Sequence, residues 1–304
     1  MCVPIKHTEI DRSETMNQRI ASSDLEFIRC EIKARFIKRK IINKYASSND
    51  PELREIADYL RHNAMSVFPY AFTKDYKIKD FNVEKDPTND LFYYIKDGRR
   101  LYLRRGYKSK FRASRYMKNL SMEQDSRSPH CYTDNSFHPD KGSILLDVGG
   151  AEGIFAFQFI EDIKHAYIFE CDPRWIEALK YTFKDHLEKI TIVEKYVTNY
   201  NDADHITLDQ FVSEYKLTDE KIFIKADCEG DEVHIIEGAS ELLKRKSGIK
   251  LALCTYHLQD HEQILRDRFA SWNVSCTRGY LLYYYDFDFA DPFVRRGVIR
   301  ISGD

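Results

Sequence analysis

The chain holds no apolar run near the ~18 residues that a helix needs to cross a bilayer. Its opening stretch, MCVPIKHTEIDRSETMNQRI, has no apolar core between a basic flank and a cleavage site, so it does not read as a secretory signal. The seven cysteines are scattered, odd in number and free of CxxC spacing, which argues against a zinc site and against a disulfide framework. No sign of charge is in excess: the formal net charge is −2, which is not that of an obligate polyanion binder. There is also no internal repeat and no low-complexity segment. These absences leave a soluble, reduced, cytoplasmic protein as the expectation. At 304 residues with 43% hydrophobic content, the chain can bury one sizeable core or two modest ones.

What is present divides near residue 140. Residues 1–140 read as an accessory region, with helices at about 23–66 and a β-hairpin at about 91–105. The first helix begins at Ser23 or Asp24 and carries Leu25, Ile28, Ile32, Phe36, Ile37 and Ile41 at roughly helical spacing. The second has Asp50 as cap and Pro51 in its first turn. Around LFYYIKDGRRLYLRR the period changes to two, with Asp97-Gly98 at the turn of a hairpin. From 141 to 304 short apolar runs at 144–148, 166–170, 190–194, 222–226 and 249–254 alternate with amphipathic segments. That alternation predicts right-handed crossovers and a parallel sheet covered on both faces. The end, GYLLYYYDFDFADPFVRRGVIRIS, lacks a helix and reads as an antiparallel pair. The expected fold is α/β, a doubly wound, Rossmann-like sheet, mostly parallel with an antiparallel C-terminal strand.

In such a sheet ligands bind at the carboxyl ends of the strands, where the strand order reverses. The stretch LLDVGGAEGIFAF leads from the first strand into a helix through Gly149, Gly150 and Gly153, residues that let a backbone approach a ligand. The helix aims its positive end at the same place. The dinucleotide fingerprint is GxGxxG; here the pattern is D-x-G-x-x-x-G, with Asp147 two residues before Gly149. A carboxylate there would repel a pyrophosphate and suit a cationic ligand, which points to S-adenosylmethionine. Glu170, at the tip of the second strand, can accept both ribose hydroxyls, although NAD enzymes place an acid there too. Tyr196 and Val197, after the third strand, are candidates to line an adenine pocket.

Taken in order, ILLDVGGAEGIFAF, YIFECDP, ITLDQF, IFIKADCEGDEVHIIEGASELL and CTYH resemble the class I S-adenosylmethionine-dependent methyltransferases, and more narrowly the FkbM family. The resemblance covers residues 141–257 well and extends more loosely to FVRRGVIRI. Gly150 stands where that family usually has Ala, Cys171 where it has Pro, and Ala226 and Cys228 replace branched apolar residues. It implies methyl transfer to a hydroxyl oxygen, often of a sugar or secondary metabolite, as in polysaccharide biosynthesis. The donor-binding set it implies is Asp147, Gly149, Gly150, Gly153, Glu170, Cys171, Tyr196, Val197 and Asp227.

For the chemistry, Asp227, Glu229 and His257 are the candidates. A sugar hydroxyl is a poor nucleophile at neutral pH, so a positioned base helps. Asp227 ends the fourth strand, Glu229 can face the acceptor, and His257 follows the fifth strand with a pKa suited to proton abstraction. Asp231 and Glu232 read as a helix first turn, where acids complement the dipole. A divalent metal on the acidic cluster is weighed below a purely organic site. His130 reads more simply as a loop histidine than as a residue over the cofactor.

Residues 96–118, KDGRRLYLRRGYKSKFRASRYMK, hold ten Lys or Arg against one acid. They form a local basic patch open to an acidic or carrier-linked glycan, anionic lipid or nucleic acid, or a solvated face alone. Nucleic acid is the less favoured partner, because the D/N-P-P-aromatic tetrapeptide of amino-group methylation is absent. The rival functions are a nicotinamide-dependent oxidoreductase and a non-catalytic S-adenosylmethionine-binding module.

Overall fold

The computed structural model describes residues 35–283 and 290–303. The chain parts into two compact units, one ending at Met65 and the other beginning at Ser66. In the first, residues 35–45 are helical, and the expected beginning of that helix lies outside the described residues. Helix α1 (Pro51–His62) follows. Asp50 caps it as its sequence foretells, accepting from the Glu52 amide at 2.8 Å.

The second unit passes through two short 3-10 helices (Ala71–Asp75 and Ile78–Asp80) to a small antiparallel sheet of β1 (Glu84–Lys85), β2 (Phe92–Lys96) and β3 (Arg99–Tyr102), then helix α2 (Lys110–Glu123). Alternation follows through β4 (Ile144–Val148), α3 (Ile154–Phe159), β5 (His165–Phe169), α4 (Pro173–Thr182) and β6 (Ile190–Val193). A two-stranded ribbon, β7 (Tyr196–Val197) and β8 (His205–Ile206), precedes α5 (Leu208–Glu214) and β9 (Ile222–Ala226). The chain ends through α6 (Glu232–Glu237), β10 (Ile249–Cys254), α7 (His261–Arg268), β11 (Asn273–Cys276) and β12 (Val298–Ser302).

The large sheet has the order β11-β12-β10-β9-β4-β5-β6. Its pairs from β10 to β6 are parallel, and β12 runs antiparallel to both neighbours. This is the doubly wound, Rossmann-like sheet expected from the alternation, with one reversed strand. Among the described residues no helix is long and apolar enough to cross a membrane. The penultimate strand is a correction: β11 lies at 273–276, before the aromatic tail that suggested an antiparallel partner. Before β12, that tail contributes only an isolated bridge between Leu281 and Arg295 among the described residues, and 284–289 lie outside them.

Side-chain alternation divides the sheet into two cores. Ile144, Leu146 and Val148 of β4, with Ile222, Ile224 and Ala226 of β9, bury against Phe211 of α5 and Ile235 and Ile236 of α6. On the other face Phe223 stacks on Phe155 of α3, centroids 5.5 Å apart. The hairpin turns at Asp97-Gly98 with φ of +50° and +75°, the pair of left-handed residues that a two-residue turn requires. Its Tyr93 and Tyr102 pack with Trp175 and Ala178 of α4, and the Tyr102 amide donates to Thr182 Oγ1 at 3.0 Å. Through these contacts the hairpin belongs to the same compact unit as the sheet, although its sequence period sets it apart.

Phe211 is fully buried, with the rings of Tyr167, Phe169 and Tyr215 at 5.0, 4.8 and 4.4 Å. Phe211→Ala is expected to lower the free energy of urea unfolding by about 3–5 kcal/mol. A loss below about 1 kcal/mol would show that this cluster collapses freely around the cavity.

Candidate functional site

The strand order reverses between β4 and β9: from β4 the chain builds outward to β5 and β6, then returns to place β9 on the other side. Ligands bind at such a point, beyond the carboxyl ends of the strands. The turn after β4, residues 149–153, and the residues after Ala226 sit together there.

The turn is glycine-rich because the protein itself needs the room. A Cβ on Gly149, whose φ is +71°, would lie 2.2 Å from the carbonyl oxygen of Asp227. One on Gly153, at φ +75°, would lie 2.6 Å from Leu179 of α4. A Cβ on Gly150 would meet Ile168 at 2.2 Å. The sequence reading gave these glycines to an approaching ligand; the structure fills all three Cβ positions with its own atoms.

Asp147 occupies the next-to-last position of β4. It is fully buried, and the parallel register sets it opposite Lys225 of β9. Lys225 Nζ lies 3.1 Å from its Oδ1 and donates to the carbonyl of Gly149 at 2.7 Å. Burial alone would depress the Lys225 ammonium, but Asp147 and Asp227 outweigh it and the net shift is upward. The Asp147 charge therefore faces an internal cation.

Glu170 follows the end of β5 and binds the turn. Its Oε2 accepts from the Ala151 amide at 2.8 Å, and its Oε1 from the amides of Cys171 and Asp172 at 2.8 and 2.7 Å. Burial still raises its pKa against these three donors. Cys171 offers its amide to this carboxylate, while burial pushes its thiol up to about 11. Glu152, inside the turn, is buried and accepts from the Tyr116 hydroxyl of α2. Burial pushes Glu152 up to about 7. Tyr116 packs in turn on Trp175 and Tyr107, centroids 5.7 and 5.6 Å away.

Beyond β9, Asp227 is ringed by aromatic and imidazole groups. Tyr132 donates to Oδ2 at 2.7 Å and Tyr256 to Oδ1 at 3.1 Å. His130 Nε2 lies 3.5 Å from Oδ2, and His257 Nε2 3.4 Å from Oδ1. Burial would raise the Asp227 carboxyl, but His130, His257 and Lys225 hold it well below the usual range. His130 is buried in this ring and is no ordinary loop residue.

His257 is buried too. Its Nδ1 lies 3.0 Å from Oε1 of the fully buried Glu232, which also accepts from the Cys228 amide at 2.9 Å. His261 approaches the other Glu232 oxygen at 3.4 Å. Burial would raise Glu232, yet the two histidines hold it down to about 2. For His257, burial pulls the pKa down, but Glu232, Asp227 and Glu229 overcome it and the net shift is upward. Glu229 stands exposed at a left-handed φ of +54°, its carboxylate 3.6 Å from His257 Nε2.

The structure thus brings Asp227, Glu229 and His257 together, with Glu170 and the glycine turn on the neighbouring strands. It does not bring Val197 to them: that side chain is buried in the helix-covered core with Ile206 and Leu208. Tyr196 is exposed and stacks on His205 at 5.5 Å. The two alternate across one short strand, so only one can face outward. Sequence reasoning did not single out Tyr132, Tyr256 and Lys225, and took Glu232 for a dipole partner. Lys225 and Glu232 flank the acidic cluster in the sequence and were findable there; the tyrosines are not.

Two triplets among the described residues bring ligating atoms within 4.8 Å of one another: His130, Asp227 and Cys254, and Asp227, Glu232 and His257. Neither is an open ligand set. Both Asp227 oxygens already accept from tyrosines, Glu232 holds His257, and burial pushes the Cys254 thiol well above its ordinary value.

No protein-family model and no curated protein sequence matches the chain. Solved structures do. A precorrin-8w decarboxylase from Methanobacterium thermoautotrophicum aligns at 16% identity and TM-score 0.36, over 55% of this chain and 84% of its own. A precorrin-6y C5,15-methyltransferase from Geobacter metallireducens aligns at 13% and 0.36, over 60% and 85%. An rRNA methylase from Streptococcus thermophilus aligns at 14% and 0.34, over 54% and 89%. With scores this low, the fold statement rests on the strand order itself.

The buried pair makes a sharp expectation. Lys225→Met should destabilise by about 3–5 kcal/mol in urea unfolding, because it strands the Asp147 charge. Adding Asp147→Asn should restore much of that loss; a double variant as unstable as the single would show that Lys225 acts through packing alone. Gly149→Ala is expected to cost at least about 1 kcal/mol, through the left-handed backbone and the carbonyl in its path. Equal unfolding curves for this variant and the wild type would contradict that packing.

Proposed function

We propose that the chain is an S-adenosylmethionine-dependent O-methyltransferase acting on a hydroxyl of a sugar, glycan or secondary metabolite. One observation supports this best. At the reversal point of a doubly wound sheet, a glycine turn and a strand-tip carboxylate adjoin an ionised Asp227 ringed by two tyrosines and two histidines.

When bound, the donor supplies an electrophilic methyl group on a sulfonium. The residues present fit such a group. Glu170 accepts from three backbone amides, and two carboxylate oxygens have about four lone-pair sites, so capacity remains for a ribose hydroxyl. Asp227 offers negative charge beside aromatic rings, an environment suited to an ammonium or sulfonium. Asp147 contributes through Lys225, which fixes the carbonyl of the turn.

Of the three catalytic candidates, His257 is assigned the proton. Asp227 is held far below neutrality with both oxygens engaged, so it positions rather than deprotonates. Glu229 is exposed, and its carboxylate lies beside His257 Nε2. Glu232 accepts the Nδ1 proton of His257, which leaves Nε2 as the basic atom. Nε2 takes the acceptor's hydroxyl proton as the new O–C bond forms, and Asp227, Glu229 and Glu232 stabilise the imidazolium that results. No metal is required for this sequence. Residues 141–304 carry the chemistry on this reading, with the preceding segment in an accessory role.

Calorimetric titration with S-adenosylhomocysteine and with NAD tests the donor assignment. Binding of the first and not the second is expected, and the reverse pattern would overturn the proposal. Labelled donor incubated with fractionated cell extract, followed by mass spectrometry, identifies the acceptor. With that acceptor, His257→Ala is expected to lower kcat about a hundredfold or more while donor affinity holds. Because the base must be neutral, kcat should rise with pH through a pKa above the ordinary value of about 6.5. Glu232→Gln removes one raising charge, so the midpoint should move to lower pH. An unmoved midpoint would refute the Glu232–His257 pairing as the basis of the profile.

A further inference from the structure

Of the ten cations of residues 96–118, Lys118 is half-buried beside Asn119 and Met122, and the other nine fall into two groups. Those of the hairpin and the loop after it are occupied. Lys96 pairs with Asp97, Arg99 with Glu161, Arg100 with Asp86, Arg104 with Asp172 and Arg105 with Glu177. Lys108, Lys110, Arg112 and Arg115 are exposed and, among the described residues, have no acidic partner. They gather on the first two turns of α2 and just before it. Phe111 lies among them, 59% exposed.

This placement runs against helix energetics. The first turn of α2 contains no acid, although the positive end of the dipole disfavours cations there. Mutual repulsion among the four adds to that cost. A solvated face would be at least as stable with acids in these positions, so the arrangement suits a surface that meets an anion.

The opposite face of α2 supplies the location. It buries Ala113, Ser114, Met117 and Leu120, and Tyr116 donates to Glu152 in the turn after β4. Arg112 stands one helical turn before Tyr116 and so beside it on the helix surface, which sets the cationic stretch next to the turn after β4. The same burial argues against a membrane, because an interfacial helix needs its apolar face free to enter the lipid. Size and net charge argue against nucleic acid. From Lys108 to Arg115 the helix rises only about 10 Å, and the chain as a whole has a net charge of −2, whereas nucleic-acid domains are broadly basic.

We propose that this face of α2 binds the methyl acceptor, and that the acceptor is an acidic oligosaccharide. Two or three of its anionic groups meet Lys108, Lys110, Arg112 and Arg115, and a sugar ring lies against Phe111. The inference deepens the functional reading above and rests on it for the saccharide.

A fluorescently labelled heparin-derived tetrasaccharide, followed by anisotropy on the full chain at low salt, is the probe. Binding is expected, and it should weaken with added salt. The triple variant Lys110→Ala, Arg112→Ala and Arg115→Ala should bind about tenfold more weakly or worse, since each lost contact is charge-assisted. Its melting temperature should not fall, because cations leave the positive end of a helix. Phe111→Ala should weaken the tetrasaccharide but leave the affinity for inorganic pyrophosphate unchanged. The proposal is overturned if the tetrasaccharide does not bind or if the triple variant binds it as the wild type does. Tighter binding of a single-stranded oligonucleotide, or of phosphatidylserine vesicles, than of the tetrasaccharide would also overturn it. Calorimetry with S-adenosylhomocysteine separates the two failures: lost donor binding sinks the functional reading, whereas lost saccharide binding with intact donor binding sinks only this one.

Discussion

The carboxylate of Asp147 and the ammonium of Lys225 lie 3.1 Å apart on neighbouring strands, in the interior, at the point where the sheet reverses its order. A buried ion pair of this kind seldom adds net stability over a hydrophobic pair of similar size, but breaking it strands a charge. What it supplies here is register. A slip of either strand by one residue would turn its own charge toward the helix-covered core and part it from its partner. It would also carry Gly149 away from the Asp227 carbonyl against which it packs. Lys225 reaches past Asp147 to the carbonyl of Gly149, so one cation fixes the strand pair and the turn together. Asp227, two residues beyond Lys225, is thereby set beside that turn.

Around this anchor the site separates into two electrostatic compartments. On the Asp227 side, tyrosine hydroxyls, imidazoles and Lys225 keep a half-buried carboxylate charged. On the Glu152 side a tyrosine hydroxyl donates to a buried carboxylate, and burial still pushes that acid up to about 7. The contrast follows from what surrounds each acid, two imidazoles and an ammonium against one tyrosine hydroxyl, and from the greater depth of Glu152.

The architecture was legible because it depends on local pattern. Five apolar runs foretold β4, β5, β6, β9 and β10 to within a residue or so, and Asp50, Pro51 and Asp97-Gly98 marked a helix start and a hairpin turn. The candidate site was legible in part. Glu170, Asp227 and His257 are placed by strand ends, and strand ends can be read from one dimension. Tyr132 and Tyr256, which meet at one carboxylate, come from distant segments, and nothing in either segment's spacing predicts that meeting. The glycines mark a close approach of backbone, and at each of them the neighbour on the Cβ side is the protein itself. Only the packed structure shows that β9, β5 and α4 already occupy the space. β11 was missed because NVSC is short and half polar, with no run to announce a strand.

The reversed strand has a consequence for the order of assembly. β12 lies between β10 and β11 and pairs with both. During synthesis β11 is made first and cannot join the sheet, because its only neighbour does not yet exist. Until residues 298–302 emerge, β10 presents an open edge and β11 is an unclaimed strand. That interval exposes unpaired backbone of the kind that other chains can capture. The nascent protein is therefore most in need of protection between the emergence of β11 and that of β12, after almost all of this sheet's core has been made.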